Sequence, residues 1–365
     1  MRVLVCIPCL LTGGTEVQTL SLVEALVSLG HTVATVCYFE STPEMAARYR
    51  AAGSEVYCLS APGSGRPVGV AKTLRHLWGG LKRTVREFKP DAAHVQYMAP
   101  GAIPILILRA LGVRRVLATT HTAADIYSPR GLQVIRFLTN RVLSGFQCIT
   151  HRAEESYFGP EKSPRHFTIY NSLPSHIGIA DRPRRGNPVT VGVVSRLEHI
   201  KGMDMVVPAF RQLLAAHPEA RLIVAGDGSM RARMEREAEG LANVEFLGRV
   251  QGEDLTAVYD RIDVLLMPSR SEGFGLTAIE GMARGCVPVV ADTGGLPEVV
   301  TDGSTGLIHK PENVDDLARQ IIHVFDDGEK FRALSAAALE RAALFTPAQY
   351  RLRIKEWLDK LGVTS

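Results

Sequence analysis

The sequence predicts an α/β protein of two doubly wound, Rossmann-like domains facing each other across a cleft, and three observations carry that expectation. Short β-rich runs alternate with helix-period stretches along most of the chain, the pattern of βαβ units and a parallel sheet. The alternation comes in two series, separated by a Pro- and Arg-rich stretch over 171–188. The 365 residues suffice for two domains, each with its own core.

The first series places strands at 2–7, 32–38, 55–59, 92–96, 116–120, 147–150 and 166–170. The opening run is short, carries one Arg and flows into Gly13-Gly14 and a helix, so it reads as a strand rather than a secretory signal. Over 70–89, Val70, Leu74, Leu77, Leu81, Val85 and Phe88 share one helical face, and Lys72, Arg75, Lys82, Arg83, Arg86 and Lys89 lie elsewhere. Gly79-Gly80 is a candidate break in that helix. The apolar stretch 98–108 contains Pro100, Gly101 and Pro104 and is too short to span a membrane. Asp181-Arg182-Pro183-Arg184-Arg185-Gly186 reads as linker, so the expected domains are 1–185 and 186–346. The second series has strands at 189–194, 221–225, 244–247, 264–267, 287–290 and 306–308, then a helical tail with a break at Phe345-Thr346-Pro347.

Hydrophobic content of 46% and charged content of 22% are ordinary for a globular protein. The net charge of +4 is unevenly spread: residues 1–185 hold 22 Lys and Arg against 12 Asp and Glu, and the remainder 20 against 26. The first half should therefore attract an anionic surface, and a membrane rather than a nucleic acid is the expected partner. Of six cysteines only Cys6 and Cys9 are close; glycines separate them from the next helix, so they read as structural thiols, and no second pair completes a zinc site. No Gly-x-Gly-x-x-Gly follows a strand and no phosphate loop of the Walker type occurs, which disfavours a dinucleotide-dependent dehydrogenase. There is no Asp-x-Asp, and Asp315-Asp316 and Asp326-Asp327 read as solvated charges.

Chemistry concentrates after two strands of the second series. The run 264–267 ends in Pro268-Ser269 and opens into Glu272-Gly273-Phe274-Gly275, after which Leu276, Ile279 and Ala283 mark a helix with Glu280 in its first turns. Ligands of open α/β sheets bind at this end of the strands, where glycines admit a close backbone approach and the helix start offers N–H groups. Two carboxylates there suit a ligand rich in hydroxyls. The strand at 189–194 leads into Arg196 and Lys201-Gly202, two cations before a helix, a plausible cradle for a diphosphate.

The joint pattern of Glu272-Gly273-Phe274-Gly275, with seven residues between Glu272 and Glu280, and Gly285-Cys286-Val287-Pro288-Val289-Val290 straight after resembles the retaining nucleotide-sugar glycosyltransferases of family 4, which have the GT-B architecture. Resemblance continues at Arg196 and Lys201-Gly202, Gly226-Asp227-Gly228, Phe246-Leu247-Gly248, Gly294-Gly295-Leu296-Pro297-Glu298, Gly303 and Gly306. It implies transfer of a sugar from a nucleoside diphosphate, UDP favoured over GDP, to a hydroxyl of a glycan or lipid-linked acceptor with retained α configuration. It implies no metal or other cofactor, a cytoplasmic protein peripheral to the inner face of a membrane, and a last helix from about 347 that crosses back to the first domain. His121, Arg196, Lys201 and Glu272 are the implied catalytic residues. Gly14, Gly228, Arg249, Gly273, Phe274, Gly275, Leu276 and Glu280 are implied to hold the donor, Glu280 through its ribose. Gly13, Thr15, Glu16 and His94 fall on the acceptor side, with Thr15 also read as a helix N-cap. His151 stands where relatives carry a small hydroxyl residue, and Asn171-Ser172 replaces Asn-Gly. Two alternatives stay open: a nucleotide-sugar 2-epimerase of the same fold, and a non-catalytic sugar-nucleotide-binding protein.

Overall fold

Runs such as Thr32–Cys37 and Val287–Ala291 bury side chains of both parities, because helices cover both faces of the sheet to which each belongs. The fold is that of a computed structural model, which describes residues 1–61, 66–98, 101–124, 127–161, 163–250 and 252–362. Two compact units divide the chain: Met1–Ser172 with the segment from Pro347 onward, and Leu173–Thr346.

The strands of the first unit are β1 (Arg2–Ile7), β2 (Thr32–Cys37), β3 (Ser54–Cys58), β4 (Ala92–Gln96), β5 (Arg115–Thr120), β6 (Gly145–Cys148) and β7 (His166–Thr168). Helices α1 (Gly14–Ser28), α2 (Pro43–Ala51), α3 (Val70–Phe88), α4 (Ile103–Ala110), α5 (Pro129–Arg141) and α6 (His151–Phe158) alternate with them. The second unit holds β8 (Thr190–Val194), β9 (Arg221–Ala225), β10 (Val244–Gly248), β11 (Val264–Met267), β12 (Val287–Ala291) and β13 (Leu307–His309). Its helices are α7 (Met203–Ala216), α8 (Arg231–Glu237), α9 (Glu253–Asp260), α10 (Leu276–Ala283), α11 (Leu296–Val299), α12 (Val314–Phe325) and α13 (Gly328–Ala342). Helix α14 (Pro347–Lys360) returns to the first unit, where Tyr350, Ile354, Trp357 and Leu358 join the core beside α1 and β1.

Both sheets are parallel throughout and run in the doubly wound order, β3-β2-β1-β4-β5-β6-β7 and β10-β9-β8-β11-β12-β13. The strand order reverses between β1 and β4 and between β8 and β11, and at such a reversal the connecting loops part and leave a crevice at the strands' carboxyl ends.

Three expectations need correction. The units part at Ser172, before the expected 185, because Arg184 is no linker residue: its backbone N–H donates to Ser335 Oγ (2.9 Å) and its guanidinium to the Tyr259 carbonyl (2.6 Å). Helix α3 runs unbroken through Gly79-Gly80 and buries Thr73, Leu77, Gly80, Leu81, Thr84 and Phe88, while Val70 (78% exposed), Leu74 (46%) and Trp78 (42%) face solvent. Leu77, Leu81 and Phe88 face inward as expected, but the buried face turns toward Thr73, Gly80 and Thr84, since small residues sit where the helix presses on its neighbours; Gly80 meets Leu59 so closely that an added Cβ would lie 2.4 Å from Leu59 Cδ1. Asp316 is buried rather than solvated and accepts from the Lys310 N–H (2.7 Å), and Asp327 caps α13. Pro100, a helix breaker in the apolar stretch 98–108, lies outside the described residues. Among the described residues no helix is long and apolar enough to cross a membrane.

Candidate functional site

In the second unit, the loops leaving β8 and β11 carry the residues that the sequence singled out. β8 ends at Val194, and Arg196 follows on an exposed loop with the Glu198 carboxylate as its charged neighbour. A single 3-10 turn, His199–Lys201, then leads through Gly202 into α7. Lys201 Nζ donates to Glu272 Oε2 at 2.8 Å, and both side chains are largely shielded from solvent. The expected diphosphate cation and the expected sugar-binding carboxylate are thus an ion pair across the two loops.

Glycine is required where these loops touch. Gly202 has φ of 70°, and a Cβ there would lie 1.9 Å from the Pro268 carbonyl oxygen. Gly294 has φ of 52°, and its Cβ would lie 1.7 Å from the Glu272 carbonyl oxygen. Any other residue at either place would push apart the loops that hold the Lys201–Glu272 pair.

Arg270 is a residue that motif reading passed over. It hydrogen-bonds both Asp204 oxygens (2.7 and 2.9 Å), the His199 carbonyl (2.7 Å) and Glu312 Oε1 (2.8 Å), and its N–H donates to the Ile200 carbonyl (2.9 Å). This fork ties the turn bearing Lys201 to the end of β11. Its signal was available: an Arg three residues past a strand end, within a loop already under suspicion.

Helix α10 starts at Gly275 with no capping side chain, so its first backbone N–H groups are not taken up by a cap. Phe274 turns inward and packs edge-on against Phe345 at 5.7 Å, so only its backbone faces the loop. Leu276 opens the helix half-buried, and Gly273 precedes it on the same turn. Gly228 follows β9 packed against the Leu197 carbonyl, and Arg249 stands exposed directly after β10. Glu280 is no solvated charge: it is buried, Tyr259 donates to its Oε2 at 2.6 Å, and burial pushes its carboxyl up to about 7.

The first unit is built differently. Gly13 is the N-cap of α1, without a side-chain cap, so Thr15 does not fill that place; Gly14 begins the helix. Glu16 folds back over Gly13, where burial raises its pKa and the N–H groups of Glu16 and Leu11 partly offset that effect. It staples the loop.

His121 leaves the end of β5 half-buried, and its Nε2 meets Gln96 Oε1 at 2.7 Å. Burial lowers its pKa to about 4, so the imidazole is neutral, donates Nε2–H to Gln96 and keeps Nδ1 as an acceptor. His94, expected on the acceptor side, is 1% exposed. It sits mid-strand in β4, bonded to Thr119 Oγ1 (2.6 Å) and edge-on to Trp357, and is a core residue with no surface for an acceptor. At the unit's exit the Ser172 N–H donates to Gln18 Oε1 (2.8 Å) and the Ser172 carbonyl accepts from Gln18 Nε2 (2.7 Å). His151 lies exposed at the start of α6.

Two family models match along this chain. The glycosyl transferases group 1 model covers residues 179–341, and a glycosyl transferase 4-like domain model covers 13–158. The chain is similar to a GDP-mannose-dependent monoacylated alpha-(1-6)-phosphatidylinositol monomannoside mannosyltransferase of Corynebacterium glutamicum, 31% identical over 70% of this chain and 73% of that protein. A GDP-mannose-dependent alpha-(1-6)-phosphatidylinositol monomannoside mannosyltransferase of Mycobacterium tuberculosis is 30% identical over 74% and 75%. Among solved structures, Anabaena HepE in complex with UDP and glucose superposes with a TM-score of 0.79 at 20% identity, over 98% of this chain and 99% of that one. Sucrose-phosphate synthase of Thermosynechococcus elongatus gives 0.78 at 19% identity over the whole of both chains. The structural likeness establishes the GT-B fold.

Proposed function

The chain belongs to the glycosyl transferases group 1 family and is a glycosyltransferase that uses a nucleotide sugar, and we propose that it moves a hexose from GDP-mannose to a hydroxyl of a lipid-linked acceptor with retained α configuration. Sequence reading favoured a UDP-sugar. The relatives that cover most of their own length are named for GDP-mannose and for a phosphatidylinositol mannoside, and this supports the change.

The observation that carries the reading is the Lys201–Glu272 pair joining the loops that leave β8 and β11, with the uncapped start of α10 on the second loop and Arg196 on the first, at the reversal of strand order in the second unit. Arg196 and Lys201 hold the diphosphate and offset the charge that grows on it as the sugar leaves. Glu272 and the Gly273 to Gly275 backbone hold sugar hydroxyls, with Gly228, Arg249 and Leu276 completing the donor side, and Glu280 takes the ribose. Glu272, already paired to Lys201, is a poor candidate for a covalent nucleophile. Retention then proceeds on one face of the sugar, through an oxocarbenium-like transition state in which the leaving phosphate takes the acceptor's proton. Neutral His121 serves as a hydrogen-bonding group for the sugar, Gly14 as a backbone position for the donor and Gly13 as one for the acceptor. The reaction is metal-independent in this proposal, and the protein docks on an anionic membrane through α3.

A thermal-shift comparison of GDP, UDP, GDP-mannose and UDP-glucose tests the donor, because a ligand stabilises in proportion to its occupancy. NMR of the product formed with GDP-mannose and a short-chain phosphatidylinositol mannoside tests acceptor and anomer. Stabilisation by UDP-glucose alone, or a β product, overturns the corresponding part. Conversion of donor alone into its epimer would replace the transfer reading with epimerisation.

A further inference from the structure

We propose that Tyr259 is a positioning residue of the donor site: its hydroxyl fixes one carboxylate oxygen of Glu280 and so presents the other to the ribose. The inference rests on the assignment of Glu280 to the ribose.

Tyr259 lies on α9, fully buried, and nothing in the family motif points to it. Its hydroxyl donates to Glu280 Oε2 at 2.6 Å, the short length of a charge-assisted bond. Thr277, on the first turn of α10, hydrogen-bonds the same phenol. The Tyr259 backbone is held as firmly: its carbonyl accepts from Arg184 Nη2 at 2.6 Å and from Cys286 Sγ at 3.3 Å. A carboxylate on a buried helix position must be paired or lose its charge. Tyr259 supplies one pairing and leaves Oε1 without a protein partner among the described residues, so a ligand hydroxyl can complete the set.

The same bond sets the acidity of the site. Burial raises the Glu280 carboxyl to about 7, and the Tyr259 bond acts against that rise by favouring the charged form. Tyr259 itself is pushed well above its ordinary value, chiefly by burial, so it stays a donor at any working pH. Charged groups around α10 are spoken for. Asp260 pairs with Arg284, Arg341 of α13 donates to the carbonyls of Glu298 and Val299, Ser335 is neutral, and Lys201 pairs with Glu272. The Cys286 thiol, raised to about 12 by burial, is neutral. β11 and β12 contribute apolar side chains.

The test is calorimetric titration of the full chain with GDP and with its 2′,3′-dideoxy analogue between pH 6 and 9. Both ligands share the same phosphate titration, so the difference between them isolates the ribose contact. Wild type should lose GDP affinity relative to the analogue as pH falls through about 7. Tyr259→Phe should bind GDP about tenfold more weakly at pH 7.5, move that midpoint up by about one unit and leave the analogue unchanged. Thr277→Val, a milder change should the Phe variant fold poorly, should shift the midpoint the same way by less. An unmoved midpoint in both variants, or equal losses for GDP and its analogue, overturns the inference. Should wild type and Glu280→Gln both treat the two ligands alike, the ribose assignment itself fails and takes this inference with it.

Discussion

The two units share one topology and differ in how they charge it. At the carboxyl ends of β8 and β11 the side chains are ionised and interlocked, Lys201 with Glu272 and Arg270 with Asp204 and Glu312. At the end of β5 the polar groups are neutral, His121 on the Gln96 amide, and behind them, mid-strand in β4, the buried His94 bonds the Thr119 hydroxyl. The sheet provides the place and the side chains set its charge: interlocked ions at the strand ends of the second unit, neutral hydrogen-bonding groups in the first. The pH linkage differs in the same way. In the first unit burial lowers His94 to about 3 and His121 to about 4, so their contribution is present above the unfolded value near 6.5 and is lost as pH falls. Glu280, raised to about 7 in the second unit, contributes below its unfolded value and loses that contribution as pH rises through 7.

The largest expected effect lies on the charged side. Arg196→Ala and Lys201→Ala should each lower turnover by about two to three orders of magnitude, with wild-type turnover unaffected by excess EDTA. Rates abolished by EDTA and restored by magnesium, with both variants near wild type, would hand the role of these cations to a metal. On the neutral side, His121→Ala should cost about one to two orders in turnover. His94→Ala should act mainly on stability, by about 1 to 3 kcal/mol, because it removes a buried hydrogen bond to Thr119 and leaves a cavity beside Trp357, while the Thr119 hydroxyl keeps its bond to Gln147. Steady-state kinetics beside thermal melts would separate the two histidines, and equal kinetic losses would erase the distinction drawn between them.

A smaller effect reports the opposed linkages. Glu280→Gln should stabilise the ligand-free protein at pH 8 by about 1 to 3 kcal/mol and leave it nearly unchanged at pH 5. Hydrogen exchange across that range should show first-unit amides losing protection in acid; protection falling uniformly in both units would blur the contrast. The smallest effect concerns α3, whose exposed Val70, Leu74 and Trp78 stand among Lys72, Arg75, Arg83 and Arg86. Trp78 fluorescence should report binding to anionic vesicles, weakened by salt and by about 1 kcal/mol for each basic residue replaced with Ala. Equal partition onto neutral vesicles would remove membrane docking.

The strands were legible because buried parallel strands are apolar runs with turn residues at each end, and the expected 92–96, 221–225 and 264–267 coincide with β4, β9 and β11. The Lys201, Glu272 and glycine loops were legible because close backbone approach and anion binding restrict residue type at fixed spacing. What was not legible depended on distant partners. Arg184 looks like linker until Ser335 and the Tyr259 carbonyl come beside it, and His94 looks like a site residue until Trp357, far along the chain, packs on it. On α3 the hydropathy pattern found Leu77, Leu81 and Phe88 but missed the rest of the inner face, because burial there belongs to Thr73, Gly80 and Thr84, which hydropathy ranks low. Tyr259 carries no motif, and only the fold brings α9 against α10.

The return of α14 to the first unit also has a consequence for synthesis on the ribosome. Tyr350, Ile354, Trp357 and Leu358 belong to a core otherwise built from residues translated far earlier. The first unit therefore cannot close until Leu358 has emerged, whereas the second, contiguous from Leu173 to Thr346, has all its residues sooner. Of the two units, the one begun earlier is completed later, and until then the face that awaits Trp357 is apolar surface open to chaperones.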